Sequence, residues 1–406
     1  MARGLGTALM LLALALPSAA LALPADHWTE AFEASPAAYV FGPALQAAMR
    51  SANRTVTGTV RFTLTLAAGG TAVRVRLTNE EGDQPLQIDS ATVALAAESP
   101  DGAHGEIRPL TFHGQASITI PAGAPALSDP VPLHTKAFDR LVVSTYLPQT
   151  ASFMPMGGAA MRIGLGDQTR AATLQDAKPL IGRPLVSGVA VEDDRPLPVV
   201  VAFGDSLTDG ARRTPDALHG YPDELARRLM ALAPRQRRSV VNAGIGGNQI
   251  LATSWGKGAL SRLDRDVLRI PRVSHLILME GINDIGNSGP SSMDPGPQVG
   301  ADEIIAGYRQ IIARAHASGL RVIGGTLMPF KGAHYYTAKK EQIREQVNRW
   351  IRTAGEFDRV IDFEAAVRDP ADPLKYRPEF DSGDHLHPND AGYKAMGDAI
   401  DLGVFD

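Results

Sequence analysis

The 406-residue sequence contains no cysteine. Disulfides, thiolate catalysis, cysteine-ligated zinc and iron–sulfur clusters are excluded, and so is a lipid anchor attached through a cysteine. Stability must come from packing alone, which a chain of this size can supply. A strong charge of either sign is also missing: 40 Lys and Arg stand against 44 Asp and Glu, a formal net charge of −4. A nucleic-acid binder would show a basic field and a membrane-surface binder a polybasic patch, so neither partner is expected. Long apolar runs are scarce. Outside the N-terminus none approaches the roughly 20 residues that a spanning helix needs. There is no HExxH motif, no internal repeat and no low-complexity tract.

The N-terminus is the exception. Arg3 precedes an apolar run from Ala8 to Leu16, Pro17 breaks it, and Ala20-Leu21-Ala22 offers small residues for cleavage. This is the pattern of a secretory signal peptide, and the run is short for a membrane anchor. Residues 1–22 are therefore read as a removed signal, with a bacterial periplasmic or extracellular destination and no membrane span afterwards.

With 44% hydrophobic and 21% charged residues, the remainder can bury real cores, and its length suggests two domains. From Arg54 to about Val191 the sequence reads as β-structure. Val56, Val60, Phe62, Leu64 and Leu66 alternate with Thr57, Arg61, Thr63 and Thr65, a period of two. Val73, Val75 and Leu77 alternate in the same way after Ala67–Gly70, and the pair predicts a hairpin. Further short runs at Ala91–Ala96, Ser117–Ile120 and Leu141–Leu147 are fenced by Gly, Pro or Asp. Residues 23–194 are thus expected to form a β-sandwich of jelly-roll type.

Arg195-Pro196-Leu197-Pro198 marks the boundary, and strands then alternate with helices. Val199–Phe203 is a continuous apolar run, as in a parallel strand buried on both faces. Val240–Val241, Leu276–Met279 and Val322–Ile323 mark further strands. Helical periodicity joins Leu225, Leu229 and Leu232. It also joins Ile304, Tyr308, Ile311, Ile312 and Ala315, and then Ile343, Val347 and Trp350. Residues 195–406 are read as an α/β domain on a parallel sheet.

Four short blocks in this second part carry chemistry. Gly204-Asp205-Ser206-Leu207-Thr208-Asp209-Gly210 follows the first buried strand, and ligands of open α/β sheets bind at the carboxyl ends of strands. Read alone, the block is as well explained by a turn. Asn242-Ala243-Gly244-Ile245-Gly246-Gly247-Asn248 and Glu280-Gly281-Ile282-Asn283-Asp284 follow the second and third strands. A glycine lets a backbone N–H approach a substrate, and an asparagine is a neutral donor, as an oxyanion requires; polar turns have the same composition. Near the C-terminus, Asp384-His385-Leu386-His387-Pro388 places a carboxylate three residues before an imidazole. That spacing is cheap, since about one such pair arises by chance in a chain of this composition. Asn389 also suits a helix N-cap, for a run to Leu402.

Taken together and in this order, the four blocks resemble those of the SGNH hydrolases, or GDSL esterases. The resemblance covers the whole second part. It extends loosely to the β-rich first part, as in the subgroup similar to rumen xylan-associated esterases. It implies a flavodoxin-like three-layer sandwich and a secreted serine carboxylic-ester hydrolase without cofactor or metal. It implies Ser206 as nucleophile, His387 as general base and Asp384 as its partner. The Ser206 and Gly247 N–H groups and the Asn283 side chain would form the oxyanion hole. Gly247 is preferred to Gly246 by counting from Asn242, and His387 to His385 by the His-Pro pair. Asp284 either supports Asn283 and its loop or serves the turn. Trp255, Tyr335 and Tyr336 are assigned first to core or loop packing and second to a substrate pocket.

The expected substrate is a short-chain acyl ester, such as an acetylated carbohydrate. A lysophospholipase or arylesterase activity, and an acyltransferase using the same residues, are the alternatives; a non-catalytic glycan-binding protein is the bland one. Because all four blocks follow Arg195, the chemistry is not expected to need residues 23–190.

Overall fold

In the computed structural model the described residues are Met1, 27–38, 54–99, 101–153, 159–214, 219–290 and 297–406. The expected signal peptide, 1–22, lies outside them apart from Met1. The period-two segments fall in β2 (Arg54–Thr65) and β3 (Gly70–Thr78), and the same part of the chain also forms β1 (Trp28–Glu33), β4 (Leu86–Ile88), β5 (Ser90–Ala96), β6 (Ala103–Pro109) and β7 (Ile118–Ile120). After them come β8 (Pro125–Leu127), β9 (Val131–Thr135), β10 (Arg140–Phe153), β11 (Ala159–Gly164), β12 (Lys178–Gly182) and β13 (Val186–Glu192). One antiparallel sheet runs β1-β13-β3-β8, with β9 also on β3; a second runs β12-β11-β2-β10-β5-β6; β4 and β7 form a small third.

β2 and β3 do not form the expected hairpin. They lie in different sheets, and their apolar faces meet across one core: Val60, Phe62 and Leu64 share a buried cluster with Val73, Val75 and Leu77. The link between them explains this. A hairpin turn sits in solvent, whereas Leu66 and Ala68 are 0% and 1% exposed, so the chain turns a buried corner from one sheet to the other.

The regime changes after Glu192. The next strands, β14 (Val199–Gly204), β15 (Ser239–Gly244), β16 (Val273–Met279), β17 (Arg321–Gly325) and β18 (Arg359–Ile361), form a parallel sheet in the order β15-β14-β16-β17-β18. The continuous apolar run of β14 is explained by its two neighbours and two faces. Val199, Val201 and Phe203 enter one apolar cluster, Val200 and Ala202 the other. The three-residue β18 gave no separate sequence signal.

The helices are α1 (Ser206–Asp209), α2 (Tyr221–Met230), α3 (Ala259–Leu263), α4 (Ile282–Gly286), α5 (Ala301–Ala317), α6 (Ala338–Thr353), α7 (Phe363–Val367) and α8 (Asp390–Asp398). Ile304, Tyr308 and Ile311 of α5 and Val347 of α6 pack in the first cluster; Leu225 of α2 and Met396 of α8 pack in the second. Asn389 caps α8 by accepting from Gly392 N at 3.0 Å. That helix ends at Asp398, and Leu402 belongs to a separate 3₁₀ turn.

The two regimes are tied together through polar contacts. β1 runs beside β15, and Ser239 Oγ donates to the Glu30 carbonyl at 2.7 Å. Arg269 Nη2 reaches both Glu33 oxygens at 2.6 and 2.7 Å, and Arg265 Nη1 reaches Glu81 at 2.5 Å. Burial pushes the Glu30 carboxyl up to about 7 and Glu33 up to about 8, against the attraction of Arg269. Among the described residues no helix is long and apolar enough to cross a membrane.

Candidate active site

β14 lies between β15 and β16, so the chain order reverses at its carboxyl end and a crevice opens there. Gly204 ends the strand where a Cβ would sit 2.2 Å from the Met279 carbonyl, so only glycine fits. Asp205 then caps a single helical turn, its Oδ1 accepting from Leu207 N at 2.9 Å. That turn, α1, presents Ser206.

The Ser206 hydroxyl meets a partner 181 residues away: its Oγ is 2.8 Å from His387 Nε2. His387 Nδ1 is 2.9 Å from Asp384 Oδ2. The carboxylate is held in turn, since Oδ1 accepts from His387 N, Leu386 N and Ser382 Oγ at 2.9, 3.0 and 3.1 Å. Burial opposes its ionisation, but the His387 side chain and these N–H groups outweigh burial and hold Asp384 well below the usual carboxylate range. Arg212 Nε, on an exposed side chain, also donates to Oδ2 at 2.9 Å. His385 points elsewhere: its ring is 51% exposed and pairs with Asp381 at 2.6 Å.

The glycine and asparagine blocks flank the serine. Asn242 Nδ2 donates to the Thr208 carbonyl at 2.7 Å and Oδ1 accepts from Gly244 N at 2.9 Å, joining the second block to α1. Gly247 has φ +76°, and a Cβ there would run into the Trp255 ring. Asn283 Nδ2 donates one hydrogen to the Asn248 carbonyl at 3.0 Å. An amide nitrogen carries two, so one remains for a ligand. Asp284 holds the loop beyond, accepting from Ile250 N and Leu251 N at 2.8 and 3.0 Å. Burial nevertheless raises its carboxyl to about 6.

Behind the blocks lies a buried charge cluster that sequence reading missed. Arg262 is fully buried and bonds the Gly204 carbonyl at 2.9 Å, the Ala243 carbonyl at 2.7 Å and Asn248 Oδ1 at 2.8 Å. It stacks 4.0 Å over the Phe203 ring and pairs with Asp266 at 3.0 Å and Glu280 at 3.5 Å. One guanidinium thus ties the ends of β14 and β15 to the loop that orients Asn283. Burial pushes Asp205 up to about 7 and Glu280 well above its usual range. Their Oδ2 and Oε1 atoms have no hydrogen-bond partner among the described residues. The only sequence signal for Arg262 is its place beside Ala259 and Leu263 on the buried side of a short helix.

Ser206, His387, Asn283 and Gly247 line one cavity of about 1100 Å³. Trp255 and Tyr335 line it too; Tyr335 also packs on the second core cluster, 5.9 Å from the Phe330 ring, and its hydroxyl lies 3.4 Å from Asn283 Oδ1. Tyr336 does pack, edge-on against Phe330 at 5.1 Å. The cavity is not confined to the second part of the chain. Arg183 and residues of β1, β2, β11 and β12 also line it. Arg183 Nη2 reaches Asp209 Oδ2 and the Gly244 carbonyl, both at 3.3 Å. Among the described residues no group of three or more His, Asp or Glu is placed to hold a metal ion.

Residues 202–395 match the GDSL-like lipase/acylhydrolase family. No curated protein matches the chain. Several solved structures resemble about half of the chain. A GDSL-like lipase from Bacteroides thetaiotaomicron is 16% identical over 51% of this chain and 87% of its own, with a TM-score of 0.39. A point variant of a Geobacillus acetyl-xylooligosaccharide esterase is 22% identical over 50% and 91%, TM-score 0.39. A lipolytic G-D-S-L family protein from Veillonella parvula is 19% identical over 50% and 94%, TM-score 0.35. The matched span contains the strand-end serine, the histidine that meets it and the loops between them, and residues 202–395 are a GDSL-like lipase/acylhydrolase domain, that of a serine carboxylic-ester hydrolase.

Proposed function

We propose that Ser206 attacks the ester carbonyl while His387 Nε2 takes its proton, with Asp384 fixing the tautomer and stabilising the imidazolium. The observation that carries this is the relay itself: Ser206 Oγ to His387 Nε2 at 2.8 Å and His387 Nδ1 to Asp384 Oδ2 at 2.9 Å. The tetrahedral oxyanion is received by the backbone N–H groups of Ser206 and Gly247 and by the second N–H of Asn283. His387 returns its proton to the departing alkoxide, and the alcohol leaves. Water then attacks the acyl-enzyme, His387 takes the water's proton, and collapse of the second intermediate restores the Ser206 hydroxyl and frees the acid.

The alcohol half is a carbohydrate hydroxyl or one of similar polarity. Trp255 and Tyr335 at the cavity wall and the signal-like N-terminus support that reading, with the protein exported after removal of residues 1–22. Residues 195–406 act as the catalytic unit, a flavodoxin-like three-layer sandwich, a reading supported by the β15-β14-β16-β17-β18 order. Residues 23–194 act as a jelly-roll-like sandwich, supported by two antiparallel sheets sharing one core cluster. The test is Ser206→Ala. It should fold normally and lose roughly 10⁴-fold or more in kcat on an activated ester. Substantial turnover by the folded variant would remove Ser206 from the chemistry.

A further inference from the structure

The cavity that holds Ser206 and His387 is lined, among the described residues, by six arginines and three carboxylates, in a chain whose formal net charge is −4. All three acids already have a cation. Glu33 takes Arg269 on both oxygens at 2.6 and 2.7 Å. Asp209 Oδ2 meets Arg183 at 3.3 Å, and Asp223 Oδ2 meets Arg213 at 3.4 Å and Gly220 N at 2.9 Å. Two further arginines of the wall are also committed. Arg61 donates to Ser144 Oγ at 2.8 Å and to backbone carbonyls, the Asp101 carbonyl at 2.8 Å and the Ala171 carbonyl at 2.7 Å among them. Arg212 lies on Asp384.

Arg140 and Arg162 are left over. Both are partly buried and line the cavity, and neither has a hydrogen bond or ion pair among the described residues. Strand pairing fixes where they stand. Arg162 of β11 lies opposite Arg61 of β2, and Arg140 of β10 lies opposite Thr65 of the same strand. Both therefore project from the sheet face opposite the buried Phe62 and Leu64. Four residues of β2 separate the two rows, about 13 Å at the rise of a strand. Thr63 and Thr65 share that face and line the cavity as well. A cation partly withdrawn from water has lost hydration with no anion in return, and a cleft with low-dielectric walls focuses its field on whatever enters.

We propose that Arg140 and Arg162 form an anion subsite for the alcohol half of the ester, and that the preferred substrate is an acylated acidic glycan, with carboxylates on its sugars. This rests on the ester-hydrolase and carbohydrate reading and adds the charge of the glycan to it. A guanidinium fork matches a carboxylate through two parallel N–H bonds. The spacing of the two arginines suits an extended chain that carries more than one charge, and exceeds the reach of a single small anion. The other four arginines of the wall are spoken for, so the specificity is assigned to these two.

The experiment uses the full chain with acetylated polygalacturonate and neutral acetylated xylan of matched acetyl content, and with 4-nitrophenyl acetate as the small ester. The expected kcat/KM on the acidic polymer is about tenfold or more above that on the neutral one at about 50 mM salt. That ratio should shrink severalfold at about 0.5 M salt, where surface charges are screened. Arg140→Gln combined with Arg162→Gln removes no bond within the protein and should cut the ratio about tenfold, through KM on the acidic polymer. Arg140→Lys with Arg162→Lys keeps the charge and should retain part of the preference and its salt dependence. An acidic polymer cleaved no faster than the neutral one by the parent protein, or a preference indifferent to salt, overturns the proposal and leaves the esterase intact. So does a ratio unchanged in the folded glutamine variant, or an anionic lysophospholipid turned over faster than the acidic glycan. Absence of hydrolysis of every ester, 4-nitrophenyl acetate included, would instead sink the underlying reading.

Discussion

Arg262→Met removes the guanidinium at the centre of the buried cluster while keeping much of the side chain's length. The cost follows from what is left behind. Asp266 keeps Arg265, whose Nε and Nη2 lie 2.5 and 3.1 Å from its oxygens. Glu280 is already pushed well above its usual range by burial and by Asp205, so without Arg262 it holds a proton and stays neutral. The real losses are the Gly204 and Ala243 carbonyls and Asn248 Oδ1, which lose the donor now bonding them at 2.7–2.9 Å. An orphaned buried acceptor costs about 1–3 kcal/mol, and the three are not additive, so about 3–5 kcal/mol is expected, the usual cost of breaking a buried ion pair. A domain stable by about 5–15 kcal/mol survives that loss. Activity should fall further than stability implies. Asn248 presents the carbonyl that holds Asn283 Nδ2, so a loosened Asn248 displaces the proposed oxyanion donor. With a full donor worth about 10²–10³ in kcat, a fall of roughly 10–100-fold is expected, with KM moved less than about threefold. Arg262→Lys should fall between, because an ammonium cannot serve three acceptors set for a planar fork. Urea unfolding followed by circular dichroism, with steady-state kinetics on an activated ester, reads both effects. A methionine variant within about 1 kcal/mol of the parent and within about twofold in kcat would refute the reasoning.

Three further outcomes are expected. Asn283→Ala should lower kcat by about 10²–10³ with little change in unfolding, and an unchanged kcat would reduce Asn283 to a loop residue. His387→Ala should abolish turnover and His385→Ala should spare most of it; reversed effects would mean that the 2.8 Å contact to Ser206 is not the catalytic one. Stability should fall as pH rises from about 5 to 8.5. Glu30 and Asp205 are raised by burial to about 7 and Glu33 to about 8, so the native state holds protons that the unfolded chain has released. Their contribution is complete below the ordinary carboxyl range and is lost as pH passes through the raised values. His275, lowered by burial to about 4, works oppositely between that value and the ordinary histidine range, so it offsets part of the slope below about pH 6.5 but does not reverse the sum of three carboxyls. Urea unfolding at pH 5.5 and 8.5 measures the slope, Glu33→Gln should flatten it, and a stability that rises over this interval would contradict the assignment.

The sequence by itself determined the elements and their chemistry. Strict alternation around Val60–Leu66 specified strands, and a solid apolar run at Val199–Phe203 specified a strand with neighbours on both faces, because side-chain periodicity follows directly from backbone geometry. It also placed Ser206, Gly247 and Asn283 after successive strands and Asp384 and His387 just before the last helix. Only the tertiary structure decided what those elements meet. Nothing local distinguishes a hairpin from a corner, so β2 and β3 were separable only once Leu66 and Ala68 were seen to be buried. Nothing local marks Arg262 as interior, because a charge is read as solvated until its partners, distant in sequence, are brought around it. The cavity is decided in the same way. Its wall draws on residues of β1, β2, β11 and β12, while Ser206, Gly247 and Asn283 come from the segments after β14, β15 and β16 and His387 from the segment before α8. These surfaces are joined by packing between the two regimes, which leaves no trace in any short stretch of sequence.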